Sequence, residues 1–209
     1  MNVLGVGAHY DDLELGCSGT LIKHVQRGDK VTMLVIAKSS FKDLRGQVVR
    51  DADTAHEEGL RASKIIGAEL VCLDYETLHV PFDESLTKKL MCIVEDNMID
   101  TIYSPWVYDV HRDHHYTGRN ILMAGRHVPK FLMYRSNYYD SIQQFKGNFY
   151  SDISDVMDKK IEVIKAHKSE LQRVRYKWLE FFTNQNANDG KRIGTKYAEC
   201  FEVVRYLMD

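Results

Sequence analysis

Acidic and imidazole side chains are concentrated directly after the first apolar segment of the chain. His9, Asp11 and Asp12 lie within four positions, in the run A-H-Y-D-D-L-E-L-G. Two adjacent carboxylates are costly to bury without a cation, because each of them loses its hydration. A bound divalent metal would offset that cost, and simple capping of a helix N-terminus by the two acids is the alternative. The run therefore indicates either a metal site or a helix start.

A second cluster lies about one hundred positions later. The run D-V-H-R-D-H-H, residues 109–115, contains three histidines and two aspartates. His111 and His114 are three positions apart, so one helical turn would place both of them on the same face. Taken alone, this cluster is also compatible with a solvated loop whose histidines titrate freely.

The segments that must position these clusters alternate between strand and helix patterns. Short apolar strands are predicted at residues 3–7, 30–37, 69–73, 100–104 and 131–135, with helices between them. One helix is predicted to follow the first strand and to end near Gly28, and another to span residues 48–66 and end at Gly67, a residue suited to a left-handed cap. Such strands, buried on both faces, predict an α/β fold with a mostly parallel sheet. The last third predicts a C-terminal helical extension at residues 151–182, a polar loop at 184–194 and a docking segment at 197–207.

The strand order decides whether the two clusters meet. In the order 3-2-1-4-5, the first and fourth strands are neighbours at the topological switch point, and both clusters open onto one crevice. Two histidines and one carboxylate would then form an open site of the kind that catalytic zinc uses, and iron(II) favours the same ligand types.

Three further groups would remain beside such a metal. Asp11 is placed to take a proton from an activated water, and His111 to stabilise an oxyanion or protonate a leaving amine. Asp113 is expected to orient His111 through a hydrogen bond. Together these groups predict metal-assisted hydrolysis of an amide or an ester.

Composition excludes several other classes of protein. The 209 residues predict a single domain, residues 1–209, and the net charge of −2 argues against a nucleic-acid partner. No apolar run reaches the ~18–20 residues of a membrane span, and Met1 leads almost directly into a strand, which predicts no signal peptide. The four cysteines form no C-x-x-C pair, which favours a cytoplasmic protein with reduced thiols. Aromatic residues late in the chain are compatible with a homo-oligomer.

The motifs resemble those of a known family. A-H-Y-D-D-L-E-L-G-C-S-G-T-L is similar to the A-H-P-D-D-E region of the LmbE-like, or PIG-L, deacetylases, and H-R-D-H is similar to their H-x-D-H motif. E-G-L-R-A-S-K-I-I-G, D-I-S-D-V-M-D-K-K-I-E and Y-A-E-C-F-E-V-V-R continue the resemblance in order. The matches cover nearly the whole chain.

The resemblance implies a Rossmann-like three-layer sandwich that removes an N-acetyl group from a glucosamine-type sugar or its conjugate by attack of zinc-bound water. By position, His9, Asp12 and His114 would hold Zn2+, with Fe2+ as the alternative ion. Asp11 would be the general base, and His111 would stabilise the oxyanion.

Several points depart from the family pattern or stay open. Tyr10 stands where the family usually has Pro, and it is a candidate substrate contact together with Arg50 and Asp74. The resemblance selects His114 over His115, which spacing alone does not. A deacylase or esterase of another acyl substrate on the same metal site, and a non-catalytic sugar-binding relic, are the alternatives. The identity of the acetylated sugar is left open.

Overall fold

A mostly parallel sheet forms the centre of the structure, a computed structural model that describes residues 1–208. Along this part of the chain the strands are β1 (Asn2–Gly7), β2 (Lys30–Ala37), β3 (Phe41–Lys42), β4 (Val48–Arg50), β5 (Glu69–Tyr75), β6 (Thr101–Pro105), β7 (Lys130–Tyr134), β8 (Phe149–Asp152) and β9 (Ala198–Tyr206). The helices are α1 (Asp12–Gly16), α2 (Ser18–Gln26), α3 (Ala52–Ile66), α4 (Glu84–Asp96), α5 (Arg112–Ala124), α6 (Met157–Lys165), α7 (Lys168–Arg173) and α8 (Lys177–Ile193).

The strand order confirms the predicted topology. The sheet runs β5-β2-β1-β6-β7-β9-β8, and its first five strands are parallel, in the order predicted as 3-2-1-4-5. Strand β1 pairs with β6 in the register Val3 with Thr101 and Gly5 with Tyr103. The carboxyl ends of β1 and β6, where the two chemical clusters begin, therefore lie side by side.

Helices cover both faces of this sheet. Along β1 the buried side chains alternate: Val3 packs on the side of α2, α3 and α6, whereas Leu4 and Val6 pack on the side of α4 and α5. Strands buried on both faces have near-continuous apolar sequences, which is why the strand predictions held. Within residues 1–208, no helix has the length and apolar character needed to cross a bilayer.

Several sequence predictions were wrong in detail. The first helix is two helices that meet at Cys17, and the segment predicted to begin a helix at Val48 is instead strand β4, which pairs with β3. Residues 151–182 do not form one helix, because they contain part of β8, then α6 and α7, and the start of α8. The predicted polar loop at 184–194 is almost entirely helical, as the second half of α8.

The predicted end of α3 at Gly67 is correct. Gly67 adopts φ 92, a left-handed conformation that glycine enters without steric cost, and its amide bonds back to the carbonyl of Ser63. At the other end, the Asp51 side chain accepts a hydrogen bond from the Thr54 amide at 2.7 Å.

A buried ion pair joins the late helices to the start of the chain. Lys160 on α6 and Glu199 on β9 are both fully buried, and Lys160 Nζ lies 2.6 Å from Glu199 Oε1. Lys160 also donates to the Leu15 carbonyl, and Glu199 accepts from the amides of Gly19 and Thr20. The two C-terminal segments that resemble the family thus fix the helices that follow the first cluster.

We predict that Lys160→Met destabilises the protein by about 3–5 kcal/mol, because it leaves the Glu199 carboxylate buried without its cation. Urea unfolding followed by circular dichroism measures the change. The double variant Lys160→Met/Glu199→Gln should recover part of the loss, since it removes the unpaired charge. The exposed pair Lys88 and Glu84 offers a control, and Lys88→Met should change stability little. Equal stabilities of Lys160→Met and the wild type would contradict the role of this pair.

Candidate metal centre

The loop after β1 places the first cluster in a tight turn. Asp11 has φ 147, a backbone conformation that residues other than glycine rarely adopt, and α1 begins at the next residue. The Asp12 carboxylate accepts a hydrogen bond from the His9 amide at 2.9 Å. A Cβ at Gly7 would approach the His9 carbonyl oxygen at 3.0 Å and Asp12 Cβ at 3.2 Å. The turn is therefore closely packed, with little room for a side chain at Gly7.

The loop after β6 places the second cluster beside the first. His111 is the residue before α5, and His114 lies in the first turn of that helix. Asp109 accepts a hydrogen bond from the His111 amide at 2.7 Å and lies 3.2 Å from His114 Nδ1. One carboxylate thus sets both the start of the helix and the orientation of a histidine on it.

The three residues predicted as metal ligands meet in the crevice between these loops. His114 Nε2 lies 3.0 Å from Asp12 Oδ1, and His9 Nδ1 lies 3.7 Å from Asp12 Oδ2. His111 is also close: one nitrogen each of His9, His111 and His114 lie within 4.8 Å of one another. Three imidazoles and one carboxylate therefore share one small space that could hold a metal ion.

Each of the two histidines beside Asp12 has its other ring nitrogen held by a second carboxylate. His9 Nε2 lies 2.9 Å from Asp113 Oδ2, and His114 Nδ1 lies 3.2 Å from Asp109 Oδ2. A carboxylate at one nitrogen keeps the proton there and leaves the lone pair of the other nitrogen free for a metal. Both free nitrogens, His9 Nδ1 and His114 Nε2, face Asp12, which is the arrangement that a bound divalent ion requires.

The expectation that Asp113 orients His111 is corrected by this geometry. Asp113 is fully buried and contacts His9, and its carboxylate also accepts hydrogen bonds from the amides of Leu78 and Val80. The contact spans 104 positions of sequence and arises because α5 packs beside the end of β1. Asp113 is thus tied to the ring of a proposed ligand, not to that of His111.

The charges of Asp12 and His114 stabilise each other. Burial opposes ionisation of both groups, yet His114 and His9 lower the pKa of Asp12 below its usual range. Conversely, the carboxylates of Asp12 and Asp109 overcome the cost of burial and raise the pKa of His114 well above its usual value. The crevice therefore favours positive charge next to Asp12.

Asp11 has a different environment from its neighbour. Burial and the charge of Asp12 raise the pKa of the Asp11 carboxyl well above its usual range, while the nearby guanidinium of Arg50 lowers it in part. Arg50 Nη1 lies 3.6 Å from Asp11 Oδ2, and Arg50 Nη2 lies 2.9 Å from Glu58 Oε2. A carboxyl with a raised pKa holds a proton more readily, which suits a group that accepts a proton and returns it.

His111 lies against both histidines and is electrically neutral at physiological pH. Its ring stacks on that of His114 at a centroid distance of 4.5 Å, and it meets the ring of His9 edge-on at 4.9 Å. Burial and these two rings lower the pKa of His111 to about 4. Among residues 1–208 its buried Nδ1 has no hydrogen-bond partner. A neutral imidazole in this position can donate one hydrogen bond and accept another.

A cavity of about 300 Å3 opens above these groups. This volume is at the lower end of the ~300–1,000 Å3 typical of small-molecule sites. Residues of helices α7 and α8 and of the β3–β4 hairpin form part of its walls. From the two clusters, its walls include His9, Asp11, Asp12, His111 and His114. The other lining residues are Leu15, Ser39, Phe41, Lys42, Arg50, Thr77, Leu78, Ser136, Asn137, Tyr139, Glu170, Arg173 and Trp178.

The three candidate substrate contacts differ in their position relative to the cavity. Arg50 lines the cavity, as predicted, although it is buried and also neutralises acids. The Tyr10 side chain is 2% exposed and packs against Val35 and Ala55, so the prediction that it contacts substrate is not supported. Asp74 is exposed at the end of β5 and is absent from the cavity walls formed by the described residues.

Sequence reasoning missed the groups that support the cluster from the side of β7. Ser136 Oγ donates to Asp12 Oδ1 at 2.8 Å, and Asn137 Nδ2 donates to Asp109 Oδ2 at 2.8 Å. Both residues follow β7, the neighbour of β6, so the carboxyl end of a third parallel strand contributes to the site. Their position directly after a predicted strand is the sequence feature that could have identified them as site residues.

Comparison with known proteins finds a family and sequence relatives. Residues 4–124 match the family described as PIG-L: GlcNAc-PI de-N-acetylase. The chain is 27% identical over 225 residues to the diacetylchitobiose deacetylase of Thermococcus kodakarensis, covering 97% of this chain and 82% of that protein.

Solved structures show the same fold. The N,N'-diacetylchitobiose deacetylase of Pyrococcus horikoshii, complexed with its inhibitor MPG, superposes with a TM-score of 0.83 at 22% identity, covering 97% of this chain and 83% of that one. GalB, the 4-carboxy-2-hydroxymuconate hydratase of Pseudomonas putida KT2440, gives a TM-score of 0.80 at 17% identity over 100% and 98% of the chains. A deacetylase and a hydratase thus share this fold, which alone does not decide the reaction.

The family match covers more than half of the chain and includes both clusters. This protein therefore belongs to the PIG-L, or LmbE-like, family of GlcNAc-PI de-N-acetylase proteins.

Proposed function

We propose that this protein hydrolyses the N-acetyl group of an acetylamino sugar or its conjugate, using a divalent metal held by His9, Asp12 and His114. One observation carries the proposal. Two imidazole nitrogens face the same carboxylate, and each imidazole is held on its far side by another carboxylate. We further propose that residues 1–209 form one deacetylase domain. This is supported by the sheet, which contains strands from both ends of the chain, β1 and β9.

The donor set fits zinc, and it also fits iron(II). Two imidazoles and one carboxylate leave coordination positions open for water and substrate, as catalytic zinc requires. The low pKa of Asp12 keeps that ligand ionised, which metal binding needs. When bound, such an ion would acidify a coordinated water and polarise the acetyl carbonyl.

The side chains around this position would carry the proton transfers of amide hydrolysis. Asp11 accepts a proton from the attacking water as the new C–O bond forms at the acetyl carbon. His111 donates a hydrogen bond to the oxygen on which negative charge develops. The C–N bond then breaks, and the proton held by Asp11 passes to the departing amine. Water and amide thus become acetate and the amino sugar.

Arg50 would keep Asp11 in position for this task. Its guanidinium connects Asp11 to Glu58, and Glu58 is in turn held by hydrogen bonds from Ser169. These contacts would hold the carboxylate of Asp11 toward the crevice.

We predict that Asp11→Asn lowers kcat for acetate release by roughly 100–10,000-fold while leaving metal content unchanged, because the amide cannot take a proton. Enzymatic detection of acetate from N-acetylglucosamine and its oligosaccharides measures the rate, and elemental mass spectrometry measures the metal. His9→Ala provides the opposite pattern, in which metal is lost.

Two results would contradict this assignment. Acetate release that persists in Asp11→Asn would exclude Asp11 as the base. Failure of the wild-type protein to retain zinc or iron, even after anaerobic reconstitution, would exclude the metal site. A panel of acyl chains on one amino sugar separates the deacetylase from a general deacylase, since a preference for long chains would contradict the acetyl substrate.

We also predict that Asp113→Asn and Asp109→Asn each weaken zinc binding by roughly 10–100-fold, because each removes the carboxylate that orients a ligand histidine. Competition with a chromophoric chelator measures the dissociation constant, and circular dichroism confirms folding. Asp96→Asn, at the exposed end of α4, is the matched control and should bind zinc like the wild type. Unchanged zinc affinity in both site variants would contradict the proposed ligands.

A further inference from the structure

A second cleft lies next to the catalytic cavity. It has a volume of about 990 Å3, and the segment after β7, residues 135–147, forms one wall while α8 forms the other. Its volume is at the upper end of the ~300–1,000 Å3 of small-molecule sites, whereas the catalytic cavity is at the lower end. The cleft thus has room for a ligand several times larger than the one the catalytic cavity holds.

The cleft and the catalytic cavity adjoin each other. Tyr139 lines both of them. On α8, Trp178 lines the catalytic cavity while its neighbour Lys177, and Phe181 one turn later, line the cleft. Tyr139 and the start of α8 therefore form a border that the cleft and the cavity share.

A hydrogen-bond chain links the cleft wall to the catalytic crevice. Asn137 accepts from the Tyr139 amide at 3.1 Å and donates to Asp109, which in turn contacts His114. The position of Tyr139 is therefore set by the same carboxylate that orients a proposed metal ligand.

Opposite charges in the cleft walls balance, which favours an uncharged ligand. Among the described residues, three basic and three acidic side chains line it, so the field attracts neither a phosphate nor a cation strongly. The charged residues are Arg135, Asp140, Lys177, Glu180, Asp189 and Arg192.

The remaining walls combine amides with aromatic rings. Amide side chains donate and accept hydrogen bonds at once, and aromatic faces cover the apolar face of a ring. Uncharged sugars present hydroxyls and apolar C–H faces, which match both. The amides are Gln143, Gln144, Asn184, Gln185 and Asn188, and the rings are Trp106, Tyr139, Phe145 and Phe181.

Three polar atoms beneath these walls have no hydrogen-bond partner in the part of the chain that the structure describes, and they expose almost no surface to the cleft. Trp106 is 3% exposed, and its indole nitrogen has no hydrogen-bond partner within residues 1–208; the same holds for Arg135 Nε and Gln185 Oε1. A buried polar atom without a partner is costly, so native proteins contain few of them. Asp189 is also buried, and loss of hydration raises its pKa.

From these observations we propose that the cleft binds the uncharged sugar units that extend beyond the acetylated sugar of an oligosaccharide substrate. The inference rests on the proposed deacetylase function, because it assigns the remainder of that enzyme's substrate. The acetylated sugar occupies the catalytic cavity, the chain passes Tyr139, and the following sugars contact Asn184 and Asn188 on α8. The enzyme is then selective for chain length.

Kinetics with N-acetylated chitooligosaccharides of one to four sugars test the proposal. Wild-type kcat/KM should rise with length by roughly tenfold or more, because contacts remote from the reacting bond contribute to catalysis. In Asn184→Ala/Asn188→Ala the ratio of tetrasaccharide to monosaccharide kcat/KM should fall toward one. Lys191→Ala, exposed on the same helix and outside the cleft, should keep the wild-type ratio.

Binding separates this proposal from the proposed function. Titration calorimetry with the N-acetylated tetrasaccharide should show binding to the wild type that weakens by roughly tenfold in the double variant, whether or not acetate is released. Binding without turnover would contradict the deacetylase and support the cleft.

Two outcomes overturn the cleft proposal. One is equal tetrasaccharide binding and an unchanged length ratio in the wild type and the double variant. The other is analytical ultracentrifugation that shows a wild-type dimer dissociated by the double variant, since the cleft walls would then be an interface between two copies.

Discussion

Neutralising buried negative charge is the constraint on which the rest of the site depends. Four aspartates lie at most 9% exposed in one crevice, where each would lose most of its hydration. The imidazoles of His9 and His114 and the guanidinium of Arg50 meet this charge from three directions. These three groups leave the space between Asp12 and the two imidazoles as the place where a divalent ion would neutralise most charge. The acids concerned are Asp11, Asp12, Asp109 and Asp113.

The sheet topology makes this charge arrangement possible. Because β6 pairs with β1 across almost one hundred residues of sequence, two acidic loops open at the same edge. Strand β7 then adds Ser136 and Asn137, which bind the carboxylates of Asp12 and Asp109. A parallel sheet brings its carboxyl ends together, so one architectural rule collects side chains from three distant segments. A hydratase has a similar fold, so the architecture alone does not determine the chemistry.

Local sequence patterns predicted the strands and the two clusters, but not the contacts between distant residues. The five parallel strands followed from their apolar runs, and both clusters followed from residue types and spacing. Which carboxylate contacts which histidine did not follow, since the pairing of His9 with Asp113 depends on how α5 packs against the end of β1. Tyr10 was equally unpredictable: its ring is enclosed by α3, where a Cβ at Gly59 would lie 2.3 Å from it. Such contacts are properties of packing, which a single sequence does not display.

Helix α8 shows why propensity failed in the last third. Asparagine and glycine are poor helix formers, so the run N-Q-N-A-N-D-G was predicted as a loop. Two of these residues have structural reasons to be there. Asn186 donates to the Ala198 carbonyl at 2.9 Å, and a Cβ at Gly190 would lie 2.8 Å from the backbone that leads into β9. Asn184 and Asn188 are exposed one turn apart, and packing does not explain them. Poor helix formers that face a cleft, and that no packing contact requires, are expected where a helix binds a ligand.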